Sequence, residues 1–144
     1  MVEIHHTDLG HTGIGLKIGH VNLYPNGGAN QPGCAFREQT SNGVGWITAL
    51  GGACSHTRVT DIIQDHFDAE LCQPVAYTCE SYDNFKKGHC IECGDKNENC
   101  WLYGLTKGHL AQWPNKYGLS YFFNTDTKSP FCRESLNPLG RKRK

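Results

Sequence analysis

The sequence predicts a single disulfide-rich domain of mixed α and β structure, with short strands around one amphipathic helix. Three observations carry that prediction. Val2–His6, Lys17–Tyr24 and Tyr117–Asn124 carry β-branched or alternating apolar and polar residues, as half-buried strands do. Val59, Ile62, Ile63, Phe67 and Leu71 return to one face at helical spacing. Eight cysteines in 144 residues are many and even in number, the mark of a paired framework from an oxidising compartment.

Bulk composition narrows the function classes. Formal net charge is zero, so nothing draws the chain as a whole to nucleic acid or to acidic substrates. No run of 18 apolar residues occurs that would cross a membrane as a helix. The first residues, Met-Val-Glu-Ile-His-His-Thr-Asp, are too polar for a secretory signal, so a removed signal or an upstream segment is expected. Length suits one domain with a modest core.

Taken in order, Val2–His6 reads as a short strand and residues 8–19 as a glycine- and histidine-rich loop. Lys17–Tyr24 is a second strand, stopped by the turn signal Pro25-Asn26-Gly27-Gly28. Residues 35–53 lack a period. Their apolar Trp46, Ile47 and Leu50 lie between Gly43, Gly45, Gly51 and Gly52, a pattern fitting a hinged flap or a plain surface loop. A helix over Thr57–Leu71 follows, with Ser55 as N-cap, His56 in its first turn and Pro74 as its stop. Residues 79–100 are polar and cysteine-dense, so local bridges are expected there in place of a core. Tyr117–Asn124 is the third strand. The tail Arg141-Lys142-Arg143-Lys144 is basic and expected to be solvated.

The chemistry centres on Ala53-Cys54-Ser55-His56, which sets an imidazole beside a cysteine at the mouth of the glycine-rich loop. No serine lies in Gly-x-Ser-x-Gly, and paired cysteines are not free thiolates. The chain therefore offers a base without a nucleophile. His5 and His6 on a strand point to opposite faces and do not chelate together. Zinc at Cys90-Ile-Glu-Cys93, helped by Cys79, Cys100, His89 or His109, is the rival to disulfides in that region. No metal or other cofactor is expected.

The runs Ile-His-His-Thr-Asp, Ile-Gly-His-Val-Asn-Leu-Tyr-Pro-Asn-Gly-Gly, Gln-Pro-Gly-Cys34 and Ala-Cys54-Ser-His56-Thr-Arg resemble the pancreatic-lipase family. So do Cys79-Glu-Ser-Tyr-Asp-Asn-Phe-Lys-Lys-Gly-His-Cys90-Ile-Glu-Cys93 and Tyr121-Phe-Phe-Asn-Thr-Asp-Thr, in the same order along residues 2–132. The arthropod members, neutral lipases and venom phospholipases A1, are the most similar.

The resemblance implies an α/β-hydrolase fold with a triad in the order Ser, Asp, His. Residues 1–132 then form the C-terminal portion of that domain, with a lid loop over 34–54, and 133–144 form the basic tail. His56 takes the catalytic histidine position. Cys34 and Cys54 bracket the lid, Cys79–Cys90 and Cys93–Cys100 are local bridges, and Cys72 and Cys132 remain for a fourth. The triad serine and aspartate of the family lie N-terminal to the Ile-His-His-Thr strand. Asp8, Asp61 and Asp65 do not match that aspartate.

Nineteen residues, 35–53, separate the lid cysteines, closer to the long lids of triacylglycerol lipases than to the short ones of wasp-venom phospholipases. Phe36, Val44, Trp46, Ile47 and Leu50 are the side chains expected to meet lipid or to cover the core. The expected function is hydrolysis of lipid carboxylic esters by a secreted enzyme to which this chain brings the histidine and the lid. A catalytically inactive lipid- or partner-binding protein is the alternative. Expected partners are a lipid–water interface and an N-terminal half or a second copy. Arg141–Lys144 are expected to touch heparan sulfate or anionic lipid weakly.

Overall fold

The computed structural model describes residues 2–34, 46–67, 73–102 and 117–133, with 46–52 described by their backbone course. Its elements are β1 (Glu3–His5), β2 (Val21–Pro25), α1 (Trp46–Phe67), β3 (Val75–Thr78), α2 (Tyr82–Lys86), β4 (Cys100–Leu102) and β5 (Leu119–Phe123). The strands form one five-stranded sheet in the order β1-β2-β5-β3-β4. β1, β2 and β5 run parallel, with Glu3 opposite Val21 and Val21 opposite Leu119. β3 runs antiparallel to both β5 and β4.

Period-2 alternation decides which face each side chain serves. Val21 and Leu23 of β2 join Tyr121 and Phe123 of β5, Ala76 of β3 and Ile62 of α1 in one buried cluster. Tyr24, Phe122 and Phe85 of α2 form a second cluster. The sheet is thus covered on one side by α1 and on the other by α2, the layering expected of an α/β domain. Asn22 is polar in a fully buried strand. It survives there because its Nδ2 donates to the Gly19 and Leu119 carbonyls while its Oδ1 accepts from the Gly19 amide.

The three anticipated strands appear as β1, β2 and β5, shorter than their sequence patterns. Lys17–Gly19 stays outside β2 because the strand begins only where a partner strand supplies hydrogen bonds. α2 arises within residues 79–100, where local bridges were expected in place of a core, and β3 and β4 stand at the two ends of that region. Ser81 caps α2 by accepting the Asn84 amide, and β4 is held to β3 by backbone pairing rather than by an apolar pattern.

The helix departs from expectation at its start. α1 begins at Trp46, not at Thr57, and runs through Gly51 and Gly52. Two helical glycines cost about 2 kcal/mol against alanine, a cost that tertiary anchoring can offset. Ser55 is therefore mid-helix and buried, not an N-cap. The anticipated apolar stripe is also only partly used, since Ile62 is buried while Phe67 is 57% exposed. The buried line of α1 is Ser55, Ile62 and His66, two of them polar.

Disulfides join Cys34 to Cys54, Cys79 to Cys90 and Cys93 to Cys100. Cys132 is disulfide-bonded as well. Cys72, the cysteine left to pair with it, lies outside the described residues. With their sulfurs bonded to each other, Cys79, Cys90, Cys93 and Cys100 are not available as zinc ligands.

Candidate active site

His56 is carried on α1, two residues after Cys54 of the Cys34–Cys54 disulfide, with its side chain 53% exposed. A buried network ties this turn of α1 to the ends of the parallel strands. The Gln31 backbone N–H donates to Ser55 Oγ at 3.1 Å. Gln31 Nε2 in turn donates to the carbonyl oxygens of Thr7, just past β1, and Pro25, at the end of β2. Asn26 Nδ2 donates to Gln31 Oε1 and to Thr125 Oγ1, just past β5, and Asn26 Oδ1 accepts the Thr125 amide. One side chain, Gln31, thereby links α1 to the carboxyl ends of β1 and β2, and Asn26 extends the link to β5. The carboxyl ends of parallel strands are where open α/β sheets place their sites.

The turn that makes this network possible needs glycine. Asn26, Gly27 and Gly28 all adopt positive φ, at 53°, 81° and 84°. A Cβ on Gly27 would meet the Tyr82 ring, so the turn packs directly on α2.

Facing His56 is Asp8, which follows β1. Its carboxylate is 1% exposed, and its Oδ2 lies 3.8 Å from His56 Nδ1. Oδ2 also accepts the Thr12 amide at 3.1 Å. Asp8 Oδ1 accepts no well-aligned hydrogen bond among the described residues, although His11 Nδ1 stands 3.2 Å away. The Asp8 carbonyl accepts from the amides of His11 and Gly13, which curls residues 8–13 into a tight loop. A Cβ on Gly13 would stand 2.8 Å from that carbonyl oxygen, so the loop closes because position 13 has no side chain. Asp61 is instead drawn 3.9 Å from Arg58, on the same helix.

Arg58 fastens the base of the Cys34–Cys54 loop. Its Nη2 lies 3.4 Å from Cys34 Sγ and 3.7 Å from Cys54 Sγ, and its guanidinium covers the Phe131 ring at 4.6 Å. Of the anticipated lid side chains, Trp46, Ile47 and Leu50 fall in the first turns of α1. Phe36 and Val44, with the tail residues Arg141–Lys144, lie outside the described residues.

His5, His6, His20 and His66 serve the scaffold. His6 is buried, stacks on Tyr24 at 4.4 Å, and sets its ring nitrogens near the Ile14 carbonyl and Asn22 Oδ1. His5 turns the other way, onto Glu3 at 2.7 Å. His20 Nδ1 accepts the Val2 amide, and its ring meets that of Tyr117. His66 is buried against Phe123, and burial pushes its imidazole down to about 4. Among the described residues no cluster of three metal-binding side chains occurs.

A mixed sheet with a histidine-bearing helix over the carboxyl ends of its parallel strands, beside a disulfide-closed loop, is the fold of part of an α/β lipase domain. Residues 1–131 match the protein family described as Lipase. The chain is 32% identical over 141 residues to lipase member H of Danio rerio, covering 92% of this chain and 28% of that protein. It is 35% identical over 123 residues to human hepatic triacylglycerol lipase, covering 83% of this chain and 23% of that one. With lipoprotein lipase of Bos taurus it shares 37% identity over 99 residues, 66% of this chain and 20% of that protein. The chain belongs to the pancreatic-lipase family, and it spans between a fifth and three tenths of the length of these relatives.

Proposed function

We propose that this chain is the histidine-and-lid portion of a secreted lipase that hydrolyses carboxylic esters of lipids by a Ser-Asp-His mechanism. The observation that carries this reading is His56 itself. It is half-exposed, held over the strand ends by the Ser55–Gln31 network, and faces a carboxylate through Nδ1. With Nδ1 turned inward, Nε2 is the nitrogen that takes the proton of a serine hydroxyl as it attacks the ester carbonyl. The same nitrogen then returns the proton to the leaving alcohol. In this reading the serine, the triad aspartate and the oxyanion donors come from outside these 144 residues.

The lid loop supports a lipid substrate, triacylglycerol or the sn-1 ester of a phospholipid. Phe36, Val44, Trp46, Ile47 and Leu50 give it an apolar composition. The disulfides support an oxidising, extracellular setting. β1 is an edge of the sheet, and Val2, Ile14, Leu16 and Ile18 beside it are about half exposed or more. An edge strand flanked by apolar side chains supports association with the serine-bearing portion or with a second copy. The tail Arg141–Lys144 adds weak attraction to heparan sulfate or anionic lipid.

The test is turnover on emulsified triacylglycerol and on phosphatidylcholine vesicles. Protein uniting this chain with its serine-bearing portion is expected to hydrolyse one or both. His56→Ala is expected to lower kcat by at least about 10³-fold while the fold persists. Substantial turnover surviving that substitution removes His56 from the mechanism. One observation favours a second reading: the 144 residues contain no Gly-x-Ser-x-Gly. The chain would then be an inactive lipid- or partner-binding protein. Hydrolysis by the purified chain alone, proportional to its amount and abolished by His56→Ala, ends that reading.

A further inference from the structure

Arg58 is a nearly buried cation without a matching anion. Its side chain is 12% exposed, and its Nε is buried and makes no hydrogen bond among the described residues. Burying a charge is costly unless an opposite charge or strong acceptors compensate it. The carboxylate paired with it, Asp61, stands 3.9 Å away with its side chain 56% exposed, so water screens that pair. What the guanidinium meets at close range is the face of the Phe131 ring, at 4.6 Å, and two sulfurs. Nη2 lies 3.4 Å from Cys34 Sγ and 3.7 Å from Cys54 Sγ.

A disulfide sulfur is a weak acceptor, whereas a thiolate is an anion, and a cation beside a cysteine favours its thiolate. Reduction of Cys34–Cys54 therefore turns a weak contact at Arg58 into a charge-paired one. The two sulfurs also differ in access. Cys34 is 3% exposed, whereas Cys54 is only partly buried. An incoming thiolate reaches Cys54, and Cys34 is then the leaving group, beside the guanidinium. An accessible sulfur and a stabilised leaving thiolate are the conditions under which a disulfide exchanges readily. Among the described residues, the Cys79–Cys90 and Cys93–Cys100 bridges receive no cation contact of this kind.

We propose that Cys34–Cys54 is a reducible clasp, opened by a dithiol through attack at Cys54 and poised by Arg58. One thiolate of the dithiol bonds to Cys54 Sγ as the Cys34–Cys54 bond breaks, and the bonding pair leaves on Cys34 as thiolate. The second thiolate of the dithiol then attacks the dithiol's own sulfur in that mixed disulfide and releases Cys54, which takes a proton from water. The dithiol gives up two electrons and two protons and departs as a disulfide. The bridge gains the two electrons and one proton, and the other proton goes to solvent. Opening removes the covalent tie between α1, which carries His56, and the segment that leaves β2. The hydrogen bond from Gln31 to Ser55 remains as a link between them. The inference does not depend on His56 being catalytic.

The experiment equilibrates the folded full chain in dithiothreitol buffers of graded reduced-to-oxidised ratio. Exchange is quenched with acid, free thiols are labelled with N-ethylmaleimide under denaturing conditions, and the labelled cysteines are mapped by mass spectrometry. Cys34–Cys54 is expected to open while Cys79–Cys90 and Cys93–Cys100 stay closed and circular dichroism stays native. With limiting glutathione, the mixed disulfide is expected on Cys54. Arg58→Gln is expected to require a reduced-to-oxidised ratio about tenfold higher at the midpoint, the scale of one hydrogen bond to a charged group. Arg58→Lys, which keeps the charge, is expected to lie closer to wild type. Opening of all the bridges together, or opening only as the fold melts, overturns the proposal without any variant, so poor folding of Arg58→Gln does not shield it. A mixed disulfide on Cys34, or an unmoved midpoint in well-folded Arg58→Gln, overturns it equally. A midpoint shifted as far in Arg58→Lys as in Arg58→Gln assigns the effect to packing and overturns the role of the charge.

Discussion

The backbone N–H of Gln31 donates to Ser55 Oγ across twenty-four positions of sequence, and both residues are almost wholly buried. This single bond attaches the turn of α1 that carries His56 to the loop leaving β2. Ser55→Ala leaves the Gln31 amide buried without its acceptor, a loss of about 1–3 kcal/mol. Urea unfolding is expected to show that loss, and amide exchange at Gln31 is expected to accelerate. Unchanged stability and unchanged protection at Gln31 would show that the bond does not anchor the helix.

His66 makes the fold sensitive to acid. Burial beside Phe123 holds its pKa down at about 4 against an ordinary 6.5, with a backbone hydrogen bond at Phe131 and the Asp65 charge opposing the shift. The folded chain therefore keeps His66 neutral where the unfolded chain binds a proton. Stability from this group is complete above pH 6.5, declines below it, and is lost as pH reaches about 4. The loss is on the order of 3 kcal/mol. Melting temperature measured from pH 7 to pH 4 is expected to fall, and to fall less in His66→Gln. Equal pH dependence in the two proteins would assign the acid sensitivity to other groups.

The Cys34–Cys54 bridge closes a loop whose ends are 20 residues apart. Loop entropy puts its contribution at about 3 kcal/mol. Replacing both cysteines with alanine is expected to lower the urea midpoint by a corresponding amount. It also frees Arg58, which now packs against both sulfurs and over Phe131. A double variant as stable as the parent would mean that α1 and Arg58 hold the base of the loop without the bridge.

Legibility differed sharply between elements. β1, β2 and β5 could be read because their residues carry the periodicity of the faces they cover. β3, β4 and α2 could not, since Val75–Thr78 and Cys100–Leu102 are too short for a period and owe their form to pairing with neighbours. The start of α1 was hidden by Gly51 and Gly52, which lower helix propensity but do not forbid helix once disulfide and packing hold the segment. In the candidate site, His56 was legible from the motif around Cys54. The approach of Asp8 to its ring was not, because sequence places Asp8 in a loop far from the helix. The one available sign was an aspartate directly after a strand that ends in the Ile-His-His-Thr run.

By itself, the sequence determined the class of fold, the paired cysteines and the family resemblance, and it singled out the candidate histidine. These follow from residue type, period and motif, which are local. Tertiary structure alone decided that Ser55 faces inward, that Gln31 joins α1 to β1 and β2, and that Asp8 meets Nδ1 of His56. Those relationships depend on where parallel strands end and where a helix crosses them. Hydrogen bonds and charge contacts act over a few ångströms of space, whatever the distance along the chain.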